Sequence, residues 1–351
     1  MYRKLIKPIL FAMNIERAHS TVLFLLRMIG KIPGGRALLR AIYRTEHPSL
    51  EREVFGLRFP NPIGLAAGFD RNGEAFRELS ALGFGFVEIG TVTPQPQAGN
   101  PRPRIFRLPA DRAIINRSGL NNKGLYKAIA QLRHRHDRLI IGGNIGKNTL
   151  TQPSQVAADY LKMFRNLYQY VDYFSINACC DNCADGSVSH NKAHLMNILQ
   201  PLFDFRRGQN QYRPIMLKIS PDMPDEVLDE ITDILLSTPL DGIVATNGTH
   251  RRGKLHTSPA SIAKIGNGRL SGAPLTARAV EIVRRIHQRS GGTYPIIGVG
   301  GLMTPEEVKA MLDAGADLVQ IYTGYIYNGP SFVKQICRML VADAEAKATQ
   351  S

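Results

Sequence analysis

The chain has 351 residues, 44% hydrophobic and 21% charged, which is a globular composition long enough for one large core and an appendage. No segment approaches the roughly 18 apolar residues of a membrane-spanning helix. The four cysteines follow no secretory signal and do not form a disulfide framework, so we expect a reducing, cytosolic environment. The formal net charge of +15 indicates an anionic partner, which is a nucleic acid, an acidic lipid surface or an anionic ligand.

Positive charge is concentrated in residues 1–44, where Glu16 is the single acid. The basic residues of this segment are Arg3, Lys4, Lys7, Arg17, Arg27, Lys31, Arg36, Arg40 and Arg44. Apolar residues recur at helical spacing in two stretches, Val22, Leu25, Leu26, Ile29 and Leu38, Leu39, Ile42, Tyr43, with a Pro-Gly-Gly break at 33–35. This pattern predicts either a helical hairpin on an anionic bilayer or a helical pair packed on the main domain. RNA binding is disfavoured, because no aromatic side chains interleave the basic ones.

Eight short β-type runs, separated by helix-length stretches, follow this segment. They are 63–67, 86–90, 139–145, 173–177, 215–219, 242–247, 295–300 and 318–322. The alternation predicts a closed (β/α)8 TIM barrel, in which reactive residues gather at the carboxyl ends of the strands.

Glycines and polar residues stand at the ends of these runs. The glycine-rich turn at 64–73 lets backbone approach a flat ring while Arg71 projects a cation. The amide-rich loop 116–122 suits a planar polar ligand, although such loops are also ordinary turns. Lys218 lies within a buried run, where it either faces a ligand that gains negative charge or pairs with a buried carboxylate.

The last two runs end in the glycine-containing segments 298–301 and 322–324, and Gly272 lies in a further such turn. The loops after the seventh and eighth strands are where barrels of this kind hold a phosphate. These glycines therefore favour a phosphorylated cofactor with its ring over the mouth of the barrel.

Together, these strings closely resemble the dihydroorotate dehydrogenases of the second, membrane-associated class. The matching segments are 64–73, 88–94, 99–107, 144–148, 215–219, 245–247, 270–272, 298–301 and 320–324, in order, and the likeness extends to about Leu340. The resemblance implies one FMN, oxidation of dihydroorotate to orotate, and a membrane quinone as acceptor, in de novo pyrimidine biosynthesis. It also implies a quinone-binding, membrane-facing hairpin at 1–48, a catalytic barrel at 49–345 and a tail at 346–351.

The resemblance further implies a monomer, bound peripherally to the cytoplasmic side of the cell inner membrane, without a nucleic-acid partner. Implied flavin contacts are Ala67, Gly68, Thr91, Asn144, Asn177, Lys218, Thr246, Gly272, Gly301, Tyr322 and Thr323. Implied substrate contacts are Arg71, Asn116, Arg117, Ser118, Gly119, Leu120, Asn177, Asn182, Asn247 and Gly248. His19, Arg107 and Tyr322 match positions beside the quinone tunnel, and Cys180 stands at the position of the general base.

The active-site loop departs from the family pattern Asn-x-Ser-Ser-Pro-Asn-Thr, because residues 177–183 read Asn-Ala-Cys-Cys-Asp-Asn-Cys. A thiol, with an ordinary pKa of about 8.5, loses its proton more readily than a serine hydroxyl, so Cys180 is a credible base. Asp181, however, replaces the proline, and a neighbouring carboxylate disfavours a thiolate.

Other departures concern the substrate. Arg71 replaces a lysine, Gly248 replaces a threonine, and Ser118 and Leu120 replace a methionine and a phenylalanine. The alternative is therefore a flavin-binding barrel of the same family whose substrate activity is lost or altered. A different flavin barrel, such as a tRNA dihydrouridine synthase, would also be basic, but the N-terminal extension argues against it.

A metal site is a further alternative in the same loop. Cys180 and Cys183 form a Cys-x-x-Cys pair, and His190 and His194 follow at a spacing of four, which permits a redox pair or a Cys2His2 zinc site. The resemblance places these cysteines at a substrate lid, so we expect no metal.

Overall fold

The computed structural model describes residues 2–135, 139–178 and 192–350. Its α-helices are α1 (Lys7–Ala12), α2 (Ile15–Lys31), α3 (Gly35–Tyr43), α4 (Phe76–Ala81), α5 (Leu125–Leu132), α6 (Val156–Leu167), α7 (Lys192–Arg207), α8 (Asp225–Leu236), α9 (Pro259–Ile265), α10 (Thr276–Arg289), α11 (Pro305–Asp313), α12 (Thr323–Asn328) and α13 (Phe332–Gln350). Its strands are β1 (Arg52–Val54), β2 (Leu57–Phe59), β3 (Ile63–Leu65), β4 (Phe86–Val92), β5 (Ile105–Leu108), β6 (Ala113–Asn116), β7 (Ile140–Ile145), β8 (Tyr173–Ile176), β9 (Ile215–Ile219), β10 (Gly242–Ala245), β11 (Arg269–Gly272), β12 (Ile296–Val299) and β13 (Leu318–Ile321).

The predicted TIM barrel is confirmed. The strands β3, β4, β7, β8, β9, β10, β12 and β13 close into a parallel barrel in that order, and β13 returns to β3 with Val319 opposite Ile63. Each predicted run overlaps one of these strands, with ends that differ by up to two residues. The strands read as continuous apolar runs because helices cover their outer face while side chains fill the barrel.

A β-hairpin, which the sequence did not indicate, fills the amino-terminal mouth of the barrel. Strands β1 and β2 pair antiparallel, and Phe59 at the end of β2 is fully buried. Its ring lies edge-on to Phe86 of β4, with 5.2 Å between the ring centroids. Aromatic packing of this kind excludes water from that mouth, so ligands must enter from the opposite end.

A three-stranded antiparallel sheet rises beside the carboxyl ends of the barrel strands. β6 is its central strand, with β5 on one side and β11 on the other, and Arg269 lies opposite Asn116. This sheet was also not predicted. It positions the amide-rich loop 116–122 over the barrel mouth.

The N-terminal helices pack on the barrel with one face and leave apolar side chains exposed on another. Leu26, Ile29 and the buried Leu39 pack against the barrel core, whereas Phe24 and Leu38 are 58% and 61% exposed. The Arg104 guanidinium fixes α2 in place by donating two hydrogen bonds to Glu16 Oε1, at 3.0 and 2.8 Å. Among the described residues, no helix is long and apolar enough to span a membrane.

Candidate active site

A cavity of about 710 Å³ opens at the carboxyl ends of the barrel strands, and we call it the barrel cavity. Almost all of the predicted flavin and substrate residues line it: Ala67, Gly68, Arg71, Thr91, Asn116, Arg117, Ser118, Gly119, Leu120, Asn177, Lys218, Thr246, Asn247, Gly248, Gly301, Tyr322 and Thr323. Asn144 and Gly272 are buried directly behind its wall rather than in it. Cys180 and Asn182 lie outside the described residues, as do Cys183 and His190 of the alternative metal site.

A second cavity of about 620 Å³ lies between α2 and the barrel, and we call it the helix cavity. Two of the residues predicted to lie beside the quinone tunnel, His19 and Tyr322, line it. Arg71, Asn116, Ser271 and Tyr322 line both cavities, so these side chains form the wall between them.

Arg107, the third residue predicted for the quinone side, does not line either cavity. Its guanidinium donates hydrogen bonds of 2.9 to 3.0 Å to the backbone carbonyls of Leu10, Phe11 and Met13. Arg107 therefore holds the end of α1 against β5 and stabilises the position of the N-terminal segment.

His19 is held neutral in the helix cavity. Burial, followed by the nearby charge of Arg71, lowers the pKa of His19 to about 4. Its Nε2 lies 2.8 Å from the carbonyl oxygen of Phe69. Because a carbonyl oxygen only accepts, Nε2 carries the hydrogen and Nδ1 remains as an acceptor.

Asp70, which follows Phe69 in the chain, is fully buried. Burial raises the pKa of Asp70 to about 6, against the lowering effect of hydrogen bonds from the Ala75 and Glu74 amides.

A buried carboxylate lies beneath the barrel cavity. Glu88 of β4 is fully buried, and its carboxylate accepts hydrogen bonds from Asn144 Nδ2 at 2.8 Å, Gln320 Nε2 at 2.7 Å and Tyr173 OH at 3.1 Å. Lys218 Nζ lies 4.0 Å from Glu88 Oε1. Lys218 therefore pairs with a buried carboxylate, as the second sequence reading expected, and it also lines the barrel cavity. Burial and the Glu88 charge raise the pKa of Tyr173, which keeps its hydroxyl protonated as a donor.

The residues of the barrel cavity fit a flavin. Gln320 Oε1 is buried with no hydrogen-bond partner among the described residues, so the cavity floor offers an acceptor for a ligand N–H. Lys218 supplies a cation for a ring that gains negative charge on reduction. Gly301 has φ +71°, and a Cβ there would lie 2.6 Å from the Gly272 carbonyl oxygen. Only glycine permits this turn, which keeps this part of the cavity open.

The fold and the site define a class of protein, a (β/α)8-barrel enzyme with a cavity for a flat, polar cofactor. The dihydroorotate dehydrogenase family model matches residues 49–343. The dihydroorotate dehydrogenase (quinone) of Christiangramia forsetii is 44% identical over 336 residues, which are 96% of this chain and 97% of that protein. The enzyme of the same name from Thermobifida fusca is 42% identical over 349 residues, with 97% and 92% covered.

Solved structures agree with these relatives. The crystal structure of DHODH in complex with ferulenol from Eimeria tenella has a TM-score of 0.85 at 31% identity, covering 97% of this chain and 95% of that one. This chain belongs to the dihydroorotate dehydrogenase family and is an oxidoreductase, which confirms the resemblance. Enzymes of this family depend on a flavin.

Three residues of the site were missed in the sequence: Glu88, Gln320 and Tyr173. The available signal was an ionisable or amide side chain inside an apolar strand run, which is the signal that identified Lys218. His194, from the alternative metal site, lies on α7.

Proposed function

We propose that this enzyme oxidises dihydroorotate to orotate with FMN in the barrel cavity and delivers the electrons to a membrane quinone in the helix cavity. The relatives named above carry the quinone designation in their names. The observation that carries the proposal is the pair of cavities with a common wall, because it gives two reactants separate access to one cofactor. Bound FMN would supply the ring that takes up and releases electrons.

The chain's own residues would bind the substrate and move its proton. Asn116, Asn177 and Asn247 offer amides to the pyrimidine ring, and Arg71 offers a cation to its carboxylate. Asn182 is proposed as a further amide contact. Cys180 would remove the proton from the substrate carbon.

The N-terminal hairpin, residues 1–48, would carry the enzyme to its acceptor. Four apolar residues of this segment are each more than half exposed, and basic residues flank them: Phe24 and Leu25 of α2, Ile32 in the turn after it, and Leu38 of α3. This arrangement favours peripheral binding to an anionic bilayer at the cytoplasmic side of the cell inner membrane. Residues 49–345 would form the catalytic barrel and 346–351 a tail, in a monomer.

The activity is tested by anaerobic mixing with dihydroorotate, which should bleach the absorbance of the bound flavin. A released cofactor other than FMN would correct the cofactor assignment. An oxidised flavin spectrum that persists would contradict the substrate assignment and leave a flavin barrel of altered activity. Cys180→Ala should retain the flavin and lose reduction by dihydroorotate, whereas Cys180→Ser should keep some activity that needs a higher pH.

Membrane binding is tested by sedimentation with anionic vesicles at low salt. Leu25→Glu should weaken binding, because it places a charge in the apolar face of the hairpin. Leu150→Glu is the matched control, since Leu150 is 89% exposed in a loop outside the hairpin. Equal sedimentation of the wild-type protein with and without vesicles would refute the membrane proposal.

A further inference from the structure

A chain of hydrogen bonds links Glu88 to the mouth of the barrel cavity. Asn247 Nδ2 donates to Asn177 Oδ1 at 3.3 Å, and Asn177 Nδ2 donates to Thr91 Oγ1 at 2.9 Å. The Thr91 hydroxyl donates to Asn144 Oδ1 at 2.6 Å, and Asn144 Nδ2 donates to Glu88 Oε1 at 2.8 Å. Every donor in this chain points toward the carboxylate.

The direction follows from the chemistry of the last acceptor. A carboxylate that accepts from three neighbours has no hydrogen to give, so Asn144 must turn its NH2 group to Glu88. The Asn144 oxygen can then only accept, which fixes the Thr91 hydroxyl as a donor. Thr91 in turn accepts from Asn177, and Asn177 accepts from Asn247. The outermost amide, Asn247, is left with its oxygen for the cavity.

We infer that Glu88 is a positioning residue that orients these amides, so that Asn247 presents a hydrogen-bond acceptor to a ring N–H of the substrate. A 180° flip of a side-chain amide keeps almost the same shape but exchanges the acceptor oxygen and the donor NH2 group. Without a fixed direction, Asn247 would present NH2 to the ligand N–H for part of the time. Burial makes the arrangement rigid, since Asn144, Thr91 and Asn177 are at most 8% exposed.

This inference rests on the proposed substrate, and it adds a residue that touches neither flavin nor substrate. Glu88→Met removes the acceptor at nearly the same side-chain length. In folded, FMN-loaded protein it should weaken orotate binding at least tenfold, measured by isothermal titration. Glu88→Gln keeps an oxygen for Asn144 and should bind orotate with an affinity between those of the wild type and Glu88→Met. Thr232→Val is the control, because it removes a buried hydroxyl that donates to the Leu228 carbonyl on α8, outside the chain and outside the barrel cavity, and it should change orotate affinity less than about twofold.

Coupling within the chain is tested with Thr91. Thr91→Val should weaken orotate binding as Glu88→Met does, and Thr91→Ser should bind as the wild type does. The double variant Glu88→Met with Thr91→Val should bind orotate only slightly more weakly than the weaker-binding single variant, because both substitutions break the same connected chain of hydrogen bonds. The inference would be overturned if the loss of orotate affinity in the double variant equalled the product of the two single-variant losses. It would also be overturned if Glu88→Met bound orotate with wild-type affinity and differed only in a lower melting temperature. If Glu88→Met does not fold, equal affinities of Thr91→Val and Thr91→Ser would overturn it.

The proposed function and this inference fail in distinguishable ways. A flavin-loaded wild-type protein that binds no orotate would refute the proposed substrate and the inference together. A wild-type protein that binds orotate, with a Glu88→Met variant that binds it equally well, would refute the inference alone.

Discussion

Replacing His19 by glutamine should remove a specific pH dependence of stability. The pKa of His19 is about 4 in the folded protein and 6.5 without its surroundings. Above the higher value neither state protonates this ring, and the neutral ring contributes its full stability. As pH falls below that value, the unfolded chain binds a proton that the folded one refuses, so the free energy of unfolding decreases. The rate of change is about 1.4 kcal/mol per pH unit, or roughly 3 kcal/mol over the whole interval.

The measurement is urea unfolding of wild-type and His19→Gln protein at several pH values between about 4.5 and 7.5. The chain has no tryptophan, so far-ultraviolet circular dichroism is the suitable signal. The difference in unfolding free energy between the two proteins should shift against the wild type by about 2 kcal/mol between pH 6.5 and 5. Parallel pH curves for the two proteins would refute the assignment of a depressed pKa to His19.

Asp70 should give a pH dependence of stability in the opposite direction to that of His19, because the pKa of Asp70 is raised from 3.8 to about 6 on folding. Its contribution is fully present below the lower value and is lost as pH rises through the higher one. Relative to Asp70→Asn, the wild-type protein should therefore lose roughly 3 kcal/mol of stability between pH 3.8 and 6. A difference that moves the other way would contradict the raised pKa.

Further predictions concern packing and charge. Gly301→Ala should weaken FMN binding and lower the melting temperature, because its Cβ would meet the Gly272 carbonyl oxygen; Gly253→Ala, with nothing within 4 Å of its Cβ, should change neither. Lys218→Met should lower the midpoint potential of the bound flavin, since it removes a cation beside the reduced ring. An unchanged potential would show that Lys218 pairs with Glu88 and does not stabilise the reduced flavin. Arg104→Lys should cost about 2 kcal/mol of stability and speed proteolysis of the N-terminal segment, because a lysine cannot form the double hydrogen bond to Glu16.

The barrel was predictable because its strands are short apolar runs between helix-length stretches, a pattern that periodicity reveals directly. The sheet of β5, β6 and β11 was not, because its register pairs Asn116 with Arg269, which is far along the chain. The hairpin of β1 and β2 is too short to show a period. Its strands contain Arg52, Glu53 and Arg58, which interrupt the apolar pattern.

Most individual site residues are predictable only through the resemblance to the family. Lys218 and Glu88 are both charged residues in apolar strand runs, yet only the fold shows that the two face each other across the barrel. The direction of the amide chain depends on distances between five side chains on or just after four strands, β4, β7, β8 and β10. Such distances are set by barrel closure, which no local pattern encodes.

The wall of Arg71, Asn116, Ser271 and Tyr322 has a consequence for inhibitors. If the electron acceptor binds in the helix cavity, as proposed, a compound that fills this cavity should compete with the acceptor and not with the pyrimidine. Of the residues that depart from the family pattern, Ser118, Leu120 and Gly248 line the barrel cavity alone, whereas Arg71 belongs to the wall itself. Molecules that enter the barrel cavity would therefore contact positions at which this chain departs from the family pattern.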